Sequence, residues 1–292
     1  MSIVIYLAAA LFTNTHIAEA GDSFASAYFL EQANDCIWTS NLNGSGRTSF
    51  LTLSSNPWDI DFDFAANKIY WTQSDKVMRA NLDGTGSEVI WSPGTIGLKG
   101  IAIDGAAGKL YFLEQATDSL LASNLDGSNR FSLIKLSSNP WDIDLDLADG
   151  KIYWTQSDKV MRANLDGTNP EILWAPGAIG LKGITVDGAA GKIYFQEQAT
   201  DSILISNLDG SERTTLVKLN SNPWDIDIDI EAEKIYWTQS GKVMRANLNG
   251  TNPEILWAPG AIGLKGIAVI PEPSTVLLIG LGGAILFRRR RN

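Results

Sequence analysis

The sequence predicts an all-β fold, a six-bladed β-propeller with four-stranded blades, and three observations carry that expectation. Tyr28, Tyr70, Tyr111, Tyr153, Tyr194 and Tyr236, each followed by Phe or Trp, are spaced by 42, 41, 42, 41 and 42 residues. Six copies at such a period mark a repeat architecture rather than separate domains. Within each copy, short runs of β-branched, aromatic or alternating residues are separated by Asp-Gly or Pro/Asn/Gly clusters, the pattern of strands joined by tight turns. Finally, the array opens without a first strand and closes with one to spare, as a ring sealed by its own C-terminal strand requires.

Taken in order, residues 3–12 form an apolar run, and Ala18 and Ala20 put small residues at the −3 and −1 places before Gly21. Residues 1–20 therefore read as a secretory signal peptide, although no Lys or Arg precedes the apolar run. The propeller is expected over residues 21–270. Two unit types alternate there with a combined period of 83 residues. The even type runs Asn139-Pro140-Trp141-Asp142-Ile143-Asp144-Leu145-Asp146, then Lys151-Ile152-Tyr153-Trp154-Thr155-Gln156, then Lys159-Val160-Met161-Arg162-Ala163-Asn164, then Glu171-Ile172-Leu173-Trp174. Asp83-Gly84, Asp126-Gly127, Asp166-Gly167 and Asp209-Gly210 are the hairpin signals between third and fourth strands. The odd type opens with Gly180-Leu181-Lys182-Gly183-Ile184-Thr185-Val186-Asp187 and continues through Tyr194-Phe195. No segment before Thr275 keeps helical periodicity long enough to compete. Closing the sheets into a ring removes most exposed strand edges. The first unit starts at Ala27-Tyr28-Phe29 with strands two to four only, and residues 265–270 are a first strand with no unit after it. They are expected to complete the first blade.

The C-terminal region, residues 271–292, reads Pro271-Glu272-Pro273, an apolar Gly-rich stretch over 275–287, then Arg288, Arg289, Arg290 and Arg291. The apolar stretch is shorter than the roughly 17–25 residues of an ordinary spanning helix. An arginine cluster directly after it stays cytoplasmic and leaves the rest of the chain outside. A short transmembrane helix is expected.

Composition narrows the function. Hydrophobic content of 45% with 19% charged residues describes a folded chain. A formal charge of −10 repels phosphate backbones, so nucleic acid is not an expected partner. The single cysteine, Cys36, excludes an intramolecular disulfide and stands where the related units carry Ser119 and Ser202. The single histidine, His16, lies in the signal peptide, so imidazole chemistry is excluded from the propeller.

Two resemblances follow from the motifs. Lys-Ile-Tyr-Trp-Thr-Gln, Met-Arg-Ala-Asn-Leu-Asp-Gly-Thr and Gly-Ile-Ala-Ile-Asp resemble the YWTD repeats (class B repeats) of the low-density lipoprotein receptor family, which implies a six-bladed propeller. The fourth motif position departs from the family's Asp, reading Glu31, Gln73, Glu114, Gln156, Glu197 and Gln239, so its hydrogen bonds must be remade by longer side chains. Pro271-Glu272-Pro273, the short apolar stretch and the arginine cluster resemble a PEP-CTERM sorting signal. That implies a Gram-negative bacterial protein, transiently anchored in the inner membrane, cut by an exosortase and released to the cell surface or extracellular matrix.

Candidate site residues lie on the first strands. Ungapped alignment sets Trp58, Trp141 and Trp224 against Lys99, Lys182 and Lys265, so the six are expected to alternate around one mouth of the channel. There they can stack on sugar rings or clamp an anionic polymer. The alternative is that the tryptophans pack between blades beside solvated lysines. Asp59, Asp61, Asp142, Asp144, Asp225 and Asp227 repeat at i, i+2 and are expected near the axis, where hard oxygen ligands suit Ca²⁺. Asp63, Asp146 and Asp229 share their place with Asp104 and Asp187 in odd units, which points to turn formation. The expected function is an exported binding or scaffold module without catalysis and without a cofactor, its partner an extracellular polysaccharide or surface protein. The alternative is a metal-dependent lactonase or sugar-acid hydrolase of propeller type. Near-threefold sameness favours packing or multivalent binding over a unique catalytic centre.

Overall fold

The computed structural model describes residues 26–94, 97–177, 180–260 and 263–271. The expected signal peptide, Glu272, Pro273, the apolar stretch and Arg288 to Arg291 lie outside the described residues. Within them, twenty-four strands form six antiparallel four-stranded sheets, with no helix. The strand Leu264–Ile270 pairs with Ser26–Glu31 and supplies the inner edge of blade one. The ring is therefore closed by a non-covalent latch between the two ends of the repeat array. The other blades comprise residues 57–91, 98–135, 140–174, 181–218 and 223–257.

Burial explains why the second strand of each even blade carries the consecutive apolar residues Ile-Tyr-Trp instead of an alternation. A sheet sandwiched between two neighbours buries both faces. Thus Trp71 packs backwards on Leu30 and Ile37 of blade one, whereas Tyr70 packs forwards on Leu98, Ile101 and Phe112 of blade three. Trp71, Trp154 and Trp237 are fully buried. Trp91, Trp174 and Trp257, at the outer ends, meet Phe112, Phe195 and Phe29 of the following blade at centroid distances of 5.0, 5.4 and 4.9 Å. Both sets of tryptophans hold blades together, as their spacing predicts.

Turn chemistry follows the sequence closely. In the third hairpin of blade four, Gly167 takes φ 80° while Asp166 Oδ1 accepts the Thr168 amide at 2.9 Å. The fourth motif position does its work with longer side chains. Gln73 and Gln239 accept the indole N–H of Trp71 and Trp237, and Glu31 accepts that of Trp38. Blade four differs: Ser137 and Ser138 occupy Gln156 Oε1, and Trp154 Nε1 has no partner.

Candidate functional site at the channel mouth

The first strands line the channel, and their threefold repetition stacks their side chains in layers. Outermost are Trp58, Trp141 and Trp224 with Lys99, Lys182 and Lys265, around a small cavity of about 30 Å³. Asp59, Asp142 and Asp225 form its floor and also the roof of a second cavity of about 80 Å³. That inner chamber is lined further by Asp61, Asp144, Asp227 and Thr185. All twelve expected residues are thus brought to one axis.

The outer layer is a pinwheel. Lys99 Nζ lies 2.7 Å from the ring centroid of Trp58 and 5.3 Å from that of Trp141. Lys182 repeats this with Trp141 and Trp224 at 2.7 and 5.4 Å, and Lys265 with Trp224 and Trp58 at 2.7 and 5.2 Å. Each ammonium therefore sits between two indoles, where the ring quadrupole attracts it. Relative exposures of 4, 5 and 7% overturn the alternative of solvated lysines. The tryptophans, in turn, face the axis: Trp58 and Trp141 approach at 6.3 Å, tilted by 58°. The long aliphatic stems of the lysines reach the axis from the odd blades and the indoles reach it from the even ones. Because lysines occupy the indole faces, a sugar ring cannot stack on them unless a lysine is displaced. Desolvation pushes Lys99 down to about 6, with Lys265 and Lys182 adding repulsion. Lys182 and Lys265 are pushed down to about 7, again chiefly by burial.

The carboxylates are clamps as well as channel walls. Asp59 Oδ1 accepts its neighbour Ile60 N at 2.8 Å, while Oδ2 accepts Ile101 N of the next blade at 2.7 Å. Asp142 and Asp225 repeat the pair with Ile184 and Ile267. One layer down, Asp61, Asp144 and Asp227 reach Ile103, Val186 and Val269, all at 2.7 Å. Oxygens of Asp59, Asp142 and Asp225 lie within 4.8 Å of one another. A cation there would have to share oxygens that already accept main-chain N–H groups. Desolvation and mutual repulsion hold all three carboxyls well above the usual carboxylate range. Burial likewise pushes Asp61 up to about 7, Asp144 to about 6 and Asp227 to about 8. The last aspartate of each strand plays the expected turn role, Asp63 accepting from Ala66 and Asp104 from Ala107.

Two residues, one on the axis and one in a seam, escaped the motif reading because they break the repeat. Thr185 stands where Ala102 and Ala268 stand, and touches Asp144. Gln196 replaces Leu113 and Leu30, and its Nε2 donates to Asp225 O at 3.0 Å. Both lie in blade five. Comparing the three 83-residue copies position by position exposes them.

Residues 269–291 match a family model described as the PEP-CTERM protein-sorting motif. Over 211 residues the chain is 26% identical to a low-density lipoprotein receptor-related protein 5-like protein of Homo sapiens, covering 69% of this chain and 83% of that protein. It is 30% identical over 189 residues to low-density lipoprotein receptor-related protein 5 of Mus musculus, covering 61% of this chain but only 12% of that much longer protein. Among solved structures, a chain from the nidogen/laminin complex superposes with a TM-score of 0.78 at 21% identity, covering 84% of this chain and 98% of that one. The chain is thus similar in sequence to the receptor-related proteins, and it shares its fold with that chain of the nidogen/laminin complex.

Proposed function

We propose that this chain is an exported propeller, processed by an exosortase at its C-terminal signal, that acts without catalysis as an extracytoplasmic binding module for partners rich in acidic groups. The observation that carries the reading is the ring of Lys99, Lys182 and Lys265, buried among indoles at the channel mouth. Threefold identity presents one recognition element three times around an axis, which suits a polymer or a repeating surface. An extracellular acidic polysaccharide is the partner this chemistry fits best; a surface protein with an acidic face is the other. That a neighbour of the same fold comes from a nidogen/laminin complex supports a binding role for the scaffold. Fold alone does not select the ligand. Glycan-array screening of wild type against Trp58/Trp141/Trp224→Ala tests the reading. Binding to acidic but not neutral glycans, lost in the variant, is the expected outcome; indifferent binding by both proteins overturns it. Processing predicts a released form whose intact mass ends near Pro271-Glu272-Pro273.

A metal-dependent hydrolase is the second reading, favoured by the convergence of Asp59, Asp142 and Asp225 within 4.8 Å. Their threefold equivalence and prior engagement with main-chain amides argue against it. Calorimetric titration with Ca²⁺ decides: absence of binding removes the hydrolase as framed.

A further inference from the structure

Five lysines on second strands have a side-chain acceptor: Lys68, Lys109, Lys151, Lys192 and Lys234 each donate to an asparagine of the adjoining strand. Lys99, Lys182 and Lys265 are more deeply buried as residues, yet among the described residues their Nζ atoms have no side-chain acceptor and lie over indole faces at the cavity. The nearby carboxylates do not take the place of an acceptor, since their oxygens are turned to the amides of Ile101, Ile184 and Ile267. Three buried ammonium groups without an anionic partner repel one another and are costly to keep charged. An anion on the axis would relieve all three together.

We propose that the channel mouth holds a single oxyanion, a carboxylate or sulfate group carried by a larger molecule, on the threefold axis between Lys99, Lys182 and Lys265. This deepens the reading of the mouth as the binding face and rests on it. Size supports a single group: a cavity of about 30 Å³ has room for a substituent and not for a sugar ring. The carrier would lie outside the pocket, across the rim, with its acidic substituent pointing down the axis. The chemistry is that of charge-assisted hydrogen bonds, which are strong where water is excluded. The ionisable groups that face the site are the three lysines themselves and, from the floor, Asp59, Asp142 and Asp225, with Asp61, Asp144 and Asp227 one layer below. Because burial leaves Lys182 and Lys265 at about 7 and Lys99 at about 6, an entering anion must be accompanied by protons.

The test is calorimetry on the full-length protein with sodium sulfate and with sodium glucuronate, in buffers of different ionisation heat. One anion per chain is expected, bound with proton uptake, and sulfate affinity should weaken at least about tenfold between roughly pH 6 and pH 8.5. The rank of sulfate against glucuronate identifies the group carried by the partner. Lys99/Lys182/Lys265→Met fills the same space with apolar stems, so it should keep its melting temperature and lose binding of both. No binding of either anion at millimolar concentration, binding without proton uptake, or undiminished binding by the triple variant overturns the proposal. Loss of sulfate binding alone leaves the polymer reading standing if the glycan array is positive. Sulfate bound by a protein that engages no acidic glycan supports the axial site and sinks the polymer reading.

Discussion

The ring contains two kinds of seam, and they hold by different physics. Where an even blade meets the odd blade after it, polar clamps cross the seam. Asp142 and Asp144 accept Ile184 and Val186 amides, the Thr155 hydroxyl donates to Lys182 O, and Arg162 Nη1 donates to Leu208 O at 2.8 Å. Where an odd blade meets the next even one, contact is close and largely apolar. Trp154 sits against Leu113 and Leu120, and a Cβ on Gly183 would fall 2.7 Å from Asp225 Cα. Directional bonds set the register of the first kind; shape chiefly sets the second, with the amide Nε2 of Gln32, Gln115 and Gln198 donating across it to Pro57, Pro140 and Pro223 O. The polar seam is consequently sensitive to protonation, while the close-packed seam is sensitive to volume.

The largest break in this alternation comes at the closing seams, which both end on Leu264–Ile270. Deleting that strand exposes the inner edge of blade one, removes the amide donors of Asp225 and Asp227 and the acceptor of Thr238 in blade six, and removes packing against blade two. A fall in melting temperature of roughly 10 °C or more is expected by calorimetry. A circular permutant that places the strand directly before Ser26 should melt like the wild type. Equal melting of the deletion would overturn ring closure.

Volume tests the close-packed seam next. Gly183→Val drives two methyl groups into the Asp225 backbone and should cost about 3 kcal/mol by denaturant titration. On the polar seam, Asp142→Ala strands the Ile143 and Ile184 amides, at about 1–3 kcal/mol. Asp142→Asn keeps an acceptor and removes a repelling charge, so it should cost less than the alanine. If asparagine proves the worse substitution, the clamp depends on charge and not on hydrogen bonding.

Acidity separates the seams again. Burial raises the folded values of Asp61, Asp144 and Asp227 to about 7, 6 and 8, above the ordinary carboxylate value. The folded state then holds more protons than the unfolded one in this range, so stability falls as pH rises. Their contribution is fully present below about pH 4 and is lost as pH climbs through 6 to 8. Melting temperatures should therefore fall from about pH 5 to pH 6, above which the deprotonating Lys99, Lys182 and Lys265 act in the opposite direction. Asp61/Asp144/Asp227→Asn should flatten that slope, and an unchanged slope would assign the effect elsewhere.

The smallest effect belongs to Gln196, whose Oε1 is buried without a partner in an otherwise apolar place. Gln196→Leu, which copies Leu113, removes that orphan together with the Nε2 bond to Asp225 O, so the net change should stay within about 1 kcal/mol. A large loss of stability would give this amide a function in blade five.

Much of this was legible because each blade repeats the same local solution. The Tyr-Trp pair, the Asp-Gly turns and the surplus first strand each have a single economical interpretation, and together they count six blades and locate the latch. Trp71 and Tyr70, adjacent in sequence, had to face opposite seams because successive strand residues point to opposite sides. The axial residues were legible as a set, since a common place on the first strand brings Trp58, Lys99, Asp59 and their equivalents to one axis.

Their environment was not legible. Period and alignment say which residues share a layer, not how far a lysine stem bends or which face of an indole it covers. Burial of Lys99, Lys182 and Lys265 depends on three blades converging on one axis, a separation of up to 166 residues along the chain. The same holds for the carboxylates: an i, i+2 pattern on one strand cannot reveal that Asp59 Oδ2 ends on an amide 42 residues away. Sequence by itself determined the repeat, the blade, the closure and the composition of each layer, because those follow from local periodicity and hairpin chemistry. Tertiary structure alone decided which charges are desolvated and what each is bonded to, because solvation and hydrogen-bond partners are set by atoms brought together from different blades.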